Sequence, residues 1–263
     1  MHHHLDWYAY TNRLRSLHPA QKVLFSFGTL GVAFFAHPLV QGLLWFWLIL
    51  WILGYARIPW RVYALLLGTV IAFWGLSLPA LVVQVVPNPA LELAGLTPFA
   101  QLSLGGWSLV VTSESLKQAL ATGLRTAVCS TALLFLVLTT PFPSLLALAA
   151  RWGVPSFVLE ILMLMYRYLF TLWETALTLQ LAQRARGGYL RRSRWLFSVS
   201  LLAAQLLRQS LYRYQQINLA LLSRGFQGQF RILHPPSYVY SQRYGLEILI
   251  GGGALIVLNT MVA

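Results

Sequence analysis

The sequence predicts an all-α integral membrane protein with about five transmembrane helices and a cytoplasmic coupling module of long amphipathic helices. Three observations lead there. Hydrophobic residues make up 58% of the 263 residues, charged residues only 10%, and the mean hydropathy is +0.65, whereas about a quarter of an ordinary soluble domain is charged. Long apolar stretches recur along the chain at the length a bilayer requires, about 20 residues at 1.5 Å rise each. Finally, 12 of the 19 Lys and Arg residues fall between Arg151 and Arg243, where the only acidic residues are Glu160 and Glu174. Cytoplasmic segments of membrane proteins carry this bias. It favours membrane orientation over a nucleic-acid partner as the source of the net charge of +13, and no nucleic-acid partner is expected.

The elements follow in chain order. Residues 1–21 are polar and aromatic, with no apolar core of the signal-peptide kind. His2, His3 and His4 are expected to be a floppy polar start, because three adjacent histidines cannot by themselves close a metal site. A first span over 22–36 stops at His37-Pro38, and a second over 39–55 completes a tight outer hairpin. Arg57 and Arg61 mark the return to the cytoplasm. A third span covers 62–83. Residues 84–119, with Pro87, Pro89, Gly95, Pro98, Gly105 and Gly106 but one basic residue, Lys117, read as an outer loop whose Trp107 sits in the interface. The fourth span covers 120–140 and the fifth 246–262. Cys129, the single cysteine, is a packing residue in an apolar helix and excludes an intramolecular disulfide. The expected organisation is 1–140 for the N-terminal segment and spans one to four, 141–243 for the coupling helices, and 244–263 for the last span. The basic side being inside, the N-terminus is expected in the cytoplasm and the C-terminus outside.

Charge and hydrophobicity mix between 141 and 243. Pro155-Ser156 opens a helical pattern that Gly187-Gly188 closes, and Glu160, Arg167 and Glu174 recur along it every seven residues, on one stripe. Charged residues on a helix otherwise fit for lipid face protein or water and are functional suspects; a packing ion pair with another helix explains them equally well. A second pattern over 194–223 is amphipathic and ends at Gly225. Ala185-Arg186-Gly187 and Ser223-Arg224-Gly225 therefore close both long helices with one local grammar, an arginine at a helix tip followed by glycine. Capping alone accounts for one such signature, since a cation favours the negative end of a helix dipole. Two, with their arginines 38 residues apart and Arg191, Arg192 and Arg194 between them, mark a repeated docking element. The Arg191, Arg192 and Arg194 cluster itself suits lipid headgroups.

What is missing narrows the class. The chain has no GxxxxGK[ST] loop to cradle nucleotide phosphates, no HExxH, CxxC or GxSxG, and six acidic residues in all. The energy source is therefore expected on another protein, and no catalytic residue or metal site is expected on this one. A membrane enzyme at the lipid interface is the alternative of a different class, and Glu160, Arg167 and Glu174 would have to serve it.

A set of marks then follows in order: Leu17-His18-Pro19 with Lys22; Thr112 to Leu116 with Arg125; Thr139-Thr140-Pro141; Val154-Pro155; Met165-Tyr166-Arg167-Tyr168; Arg184-Ala185-Arg186-Gly187-Gly188; and Leu222-Ser223-Arg224-Gly225-Phe226-Gln227-Gly228. In this order the chain resembles the transmembrane T component of energy-coupling factor (ECF) transporters, in its cobalt-type CbiQ subfamily. Ser223 departs from the alanine of the family's second motif. The resemblance implies a non-catalytic subunit of a cobalt importer in the cytoplasmic membrane of a bacterium or archaeon. Its partners would be two ABC-type ATPase subunits, carrying ATP and Mg, and a CbiM-like substrate-binding membrane protein with a small accessory protein. Arg186 and Arg224 would sit in grooves on the ATPases. A T component for nickel or for vitamins is the nearest alternative.

Overall fold

Two prolines begin the first apolar helices. At a first helical position the missing N–H costs nothing and the fixed φ is already helical. Pro19 starts α2 (Pro19–Phe35) and Pro38 starts α3 (Pro38–Leu50), with the His18 Nδ1 accepting from the Ala20 N–H at 3.1 Å ahead of α2. In this computed structural model residues 2–87, 100–104, 107–189, 192–225, 238 and 240–262 are described. They fall into two compact units, 1–145 with 236–263, and 146–235.

In the first unit, α1 (His2–Thr11) precedes α2, and α3 runs on into a π-helical turn, Trp51–Tyr55. Next comes α4 (Trp60–Val82). The expected outer loop is corrected here: Val83–Pro87, Ala100–Leu104 and Trp107–Val111 form β1, β2 and β3, an antiparallel sheet in the order β1-β3-β2. Residues 88–99, 105 and 106 of that loop lie outside the described residues. α5 (Ser113–Thr139) starts seven residues before the expected fourth span, where Ser115 Oγ accepts from the Thr112 N–H at 3.2 Å and donates to the Thr112 carbonyl at 2.8 Å. A span can open with polar turns at the interface, so apolar run-length placed this start too late.

α5 packs against α1, α2, α3 and α4. Its Phe135 meets Phe25 of α2 edge-on at 5.1 Å, and Phe25 lies 4.7 Å from Trp51. Within a bilayer apolar contact gives little net gain, so helices are held by close packing and side-chain hydrogen bonds. Both are present. Ser26 Oγ donates to the Ala132 carbonyl at 2.6 Å, and Trp45 Nε1, the Tyr63 hydroxyl and Thr131 Oγ1 form a three-way cluster at 3.1 to 3.2 Å joining α3, α4 and α5. The last helix of the unit, α9 (Gln242–Val262), runs parallel to α2 and is tied to it at both ends. Gln21 Nε2 donates to the Ser241 carbonyl at 3.0 Å, and the Asn259 Oδ1 accepts from the His37 N–H at 2.8 Å. Midway, a Cβ at Gly251 would lie 2.4 Å from the Trp47 indole, so only glycine permits the approach.

α6 (Phe142–Arg151) leads out of the first unit. Unit two is built from α7 (Ser156–Ala185) and α8 (Arg192–Ser223), which pack on each other. Among the described residues, five helical stretches are long and apolar enough to cross a membrane: Pro38–Tyr55, Trp60–Val82, Ser113–Thr139, Ser156–Ala185 and Gln242–Met261. The set differs from the expected one. The first expected span is a helix of 17 residues and falls short. α7 qualifies, because Arg167 alone interrupts its apolar run between Glu160 and Glu174.

Candidate coupling site

Glycine decides the shape of both arginine tips. Gly187 has φ +72° and Gly225 φ +68°, in the left-handed region where a side chain costs roughly 1–2 kcal/mol. At the first tip Arg186 is the C-cap of α7; the Gly187 N–H donates to the Arg184 carbonyl at 3.0 Å and the Gly188 N–H to the Gln183 carbonyl at 2.9 Å. This pair of bonds is a Schellman motif and satisfies carbonyls that no later helical N–H reaches. At the second tip the Gly225 N–H donates to the Leu222 carbonyl at 3.1 Å, the same inner bond. Ser223, the departure from alanine, turns its Oγ back onto the Ala220 carbonyl at 2.9 Å, so it adds no bulk beyond the helix. Phe226, Gln227 and Gly228 lie outside the described residues, as does Arg191, and so do the side chains of Arg192 and of His2, His3 and His4.

Arg186 and Arg224 are exposed, and neither forms an ion pair among the described residues. Each tip thus presents an exposed guanidinium, a fork of five N–H donors, above a backbone held by its own hydrogen bonds. The bonds that close each helix also fix the backbone from which its arginine projects. Ala185 adds no side chain beyond a methyl beside Arg186. α6 ends the same way, with Gly153 at φ +86° and the Val154 N–H on the Ala149 carbonyl at 3.2 Å. Arg151 there sits one position earlier than Arg186 and Arg224 do in their helices.

The stripe of Glu160, Arg167 and Glu174 is not a cluster. Glu160 is half-buried, Arg167 and Glu174 are exposed, and seven residues along a helix separate neighbours by about 10.5 Å. They do not share one site.

Sequence reasoning missed a buried basic residue. Lys22, which it used to mark the start of a span, is only 2% exposed, and its Nζ donates to the Thr139 carbonyl at 2.7 Å. Asn12 Nδ2 reaches the same carbonyl and that of Leu138, both at 3.3 Å. Pro141 keeps α5 from continuing, and the last carbonyls of a helix carry the negative end of its dipole. An ammonium and an amide from the N-terminal segment therefore close the end of the central helix. The legible signal was a lysine one turn inside an apolar helix, which must find acceptors or reach water.

The chain is similar to known proteins along most of its length. A family model described as CbiQ, cobalt transport protein, matches residues 11–234. A cobalt transport protein CbiQ of Rhodobacter capsulatus is 32% identical over 231 residues, 87% of this chain and 86% of that one. Its counterpart in Salmonella typhimurium is 29% identical, over 87% of this chain and 99% of the relative. A protein of Methanocorpusculum labreanum, named as a fused cobalt transport protein CbiMQ, is 30% identical over 173 residues, 66% of this chain and 28% of the fusion.

Proposed function

The chain belongs to the CbiQ cobalt transport protein family, and from that premise we propose that it is the transmembrane coupling (T) subunit of an ECF-type importer for cobalt. It transmits ATP-driven motion from two ATPase subunits, which bind ATP and Mg, to a separate substrate-binding membrane protein. The observation that carries this reading is the pair of exposed arginine tips, built alike on separate long helices. One tip suits one ATPase. Helices of 30 and 32 residues are about 45–48 Å long at 1.5 Å per residue, so displacement at a tip reaches the far end of each. Arg186 and Arg224 each meet an acidic or carbonyl-lined groove, where charge-assisted bonds contribute about 1.5–3 kcal/mol. The name of the fused relative joins CbiM to CbiQ in one polypeptide, which supports a CbiM-like substrate-binding partner. The arginine-rich unit faces the cytoplasm of a bacterial or archaeal cell, with the N-terminus on the same side, following the positive-inside bias.

Co-expression with the ATPase and CbiM-like subunits tests the reading. Wild type is expected to retain the ATPase through purification, and the Arg186→Glu, Arg224→Glu double variant to lose it while keeping its thermal unfolding profile and its CbiM-like partner. If the folded double variant holds the ATPase as well as wild type does, the tips are helix caps and nothing more.

A further inference from the structure

The corner between α7 and α8 holds a pocket of about 400 Å³ lined by Gln180, Arg184, Gly187, Tyr189 and Trp195. It is a built corner. Ser198 Oγ donates to the Gly188 carbonyl at 2.8 Å, the Tyr189 hydroxyl donates to Gln183 Oε1 at 2.7 Å, and a Cβ on Gly188 would lie 2.7 Å from Ser198 Oγ. The Arg184 guanidinium carbon lies 6.0 Å from the centre of the Tyr189 ring and forms no ion pair among the described residues. Nor does the sequence supply a nearby counter-ion: residues 146–235 carry eleven arginines against Glu160 and Glu174, and no acidic residue follows Glu174 before Glu247. Arg184 is exposed, so its charge is open to an anion from outside the chain.

We propose that this pocket binds the phosphate of an anionic phospholipid headgroup. Arg184 is the phosphate ligand, because a guanidinium fork matches two phosphate oxygens, and Gln180, one turn away on the same face, adds an amide donor. Tyr189 and Trp195 are the residue types that sit at headgroup level, apolar body inward and polar tip outward. The flanking surface favours a lipid over a free phosphate. Leu177 and Leu181 share the stripe of Arg184 at spacings of seven and three, and both are exposed, so an acyl chain has an apolar track leading away from the pocket. Arg184 and Arg186 lie about 200° apart around the helix. Lipid at Arg184 therefore leaves the Arg186 tip open.

Native mass spectrometry of the full chain, delipidated and titrated with phosphatidylglycerol, reads the site directly. Wild type is expected to hold a phosphatidylglycerol adduct that Arg184→Gln weakens about tenfold, the loss of one charge-assisted contact. Arg208→Gln removes the same charge from α8 away from the pocket and is expected to bind as wild type does. Arg184→Lys, which keeps the charge without the fork, is expected to fall between. An equal loss in Arg184→Gln and Arg208→Gln, or none in Arg184→Gln while circular dichroism shows both folded, overturns the site. Inorganic phosphate at the same concentration is expected not to displace the lipid; displacement shows that phosphate alone is the ligand and overturns the lipid assignment. Retention of the ATPase by Arg184→Gln is expected to be unchanged, so the lipid site and the docking tips fail independently.

Discussion

The two units of the molecule handle polar groups in opposite ways. In the first, such groups are drawn inward and matched: Lys22 and Asn12 on the last carbonyls of α5, Ser26 on Ala132, and Trp45, Tyr63 and Thr131 on one another. In the second, Arg167, Arg184, Arg186, Arg194, Arg208 and Arg224 are exposed, and glycine closes the backbone at the ends of α7 and α8. One unit uses hydrogen bonds to hold helices together within itself. The other uses them mainly to hold helix ends in shape. The difference sets where substitutions are expected to act: on stability in the first unit and, under the proposed function, on partners in the second.

The sharpest way to break the comparison is a pair of tryptophan truncations. Trp51, 1% exposed and packed against Phe25, Tyr55 and Tyr244, is expected to cost about 3–5 kcal/mol on change to alanine, through the cavity left behind. Trp195, 48% exposed, is expected to cost about 1–2 kcal/mol, since only part of its ring leaves water. Thermal unfolding in detergent measures both, and equal losses would erase the distinction between the units. A smaller effect follows from Lys22→Met. Its volume is kept but the Thr139 carbonyl loses its ammonium, for about 1–3 kcal/mol, and hydrogen exchange should rise over the last turn of α5. Exchange unchanged there would mean that Asn12 alone closes the helix. Smallest in stability are Gly187→Ala and Gly225→Ala, each expected to cost about 1 kcal/mol in strained backbone. ATPase retention should weaken in both, as the tip reshapes; full retention would show that the arginines dock without the fixed corner.

Some of this was legible in the chain because it is local. A glycine after a helical pattern asks for a left-handed residue whatever surrounds it, so the ends of α7 and α8 were readable at Gly187 and Gly225. Composition sufficed for the helical membrane class. The sheet of β1, β2 and β3 reads as a loop in the sequence because Pro87, Gly105 and Gly106 punctuate strands of five residues, too short for alternation to stand out. The start of α5 is hidden in the sequence because Glu114, Lys117 and Gln118 are polar, although Glu114 and Lys117 pair at 3.1 Å on an exposed turn. The charges of α7 point to the cytoplasm, while its length and apolar content also fit a span.

By itself, then, the sequence determined the solvent, the helical class, the concentration of arginine in one region and the two glycine-closed tips, since each depends on composition or on a few neighbouring residues. Tertiary structure alone decided which buried polar groups meet. Lys22 finds a carbonyl 117 residues away, and Gln21 one 220 residues away. Such pairs exist because packed helices bring their ends to one place, and a buried donor takes whichever acceptor stands there.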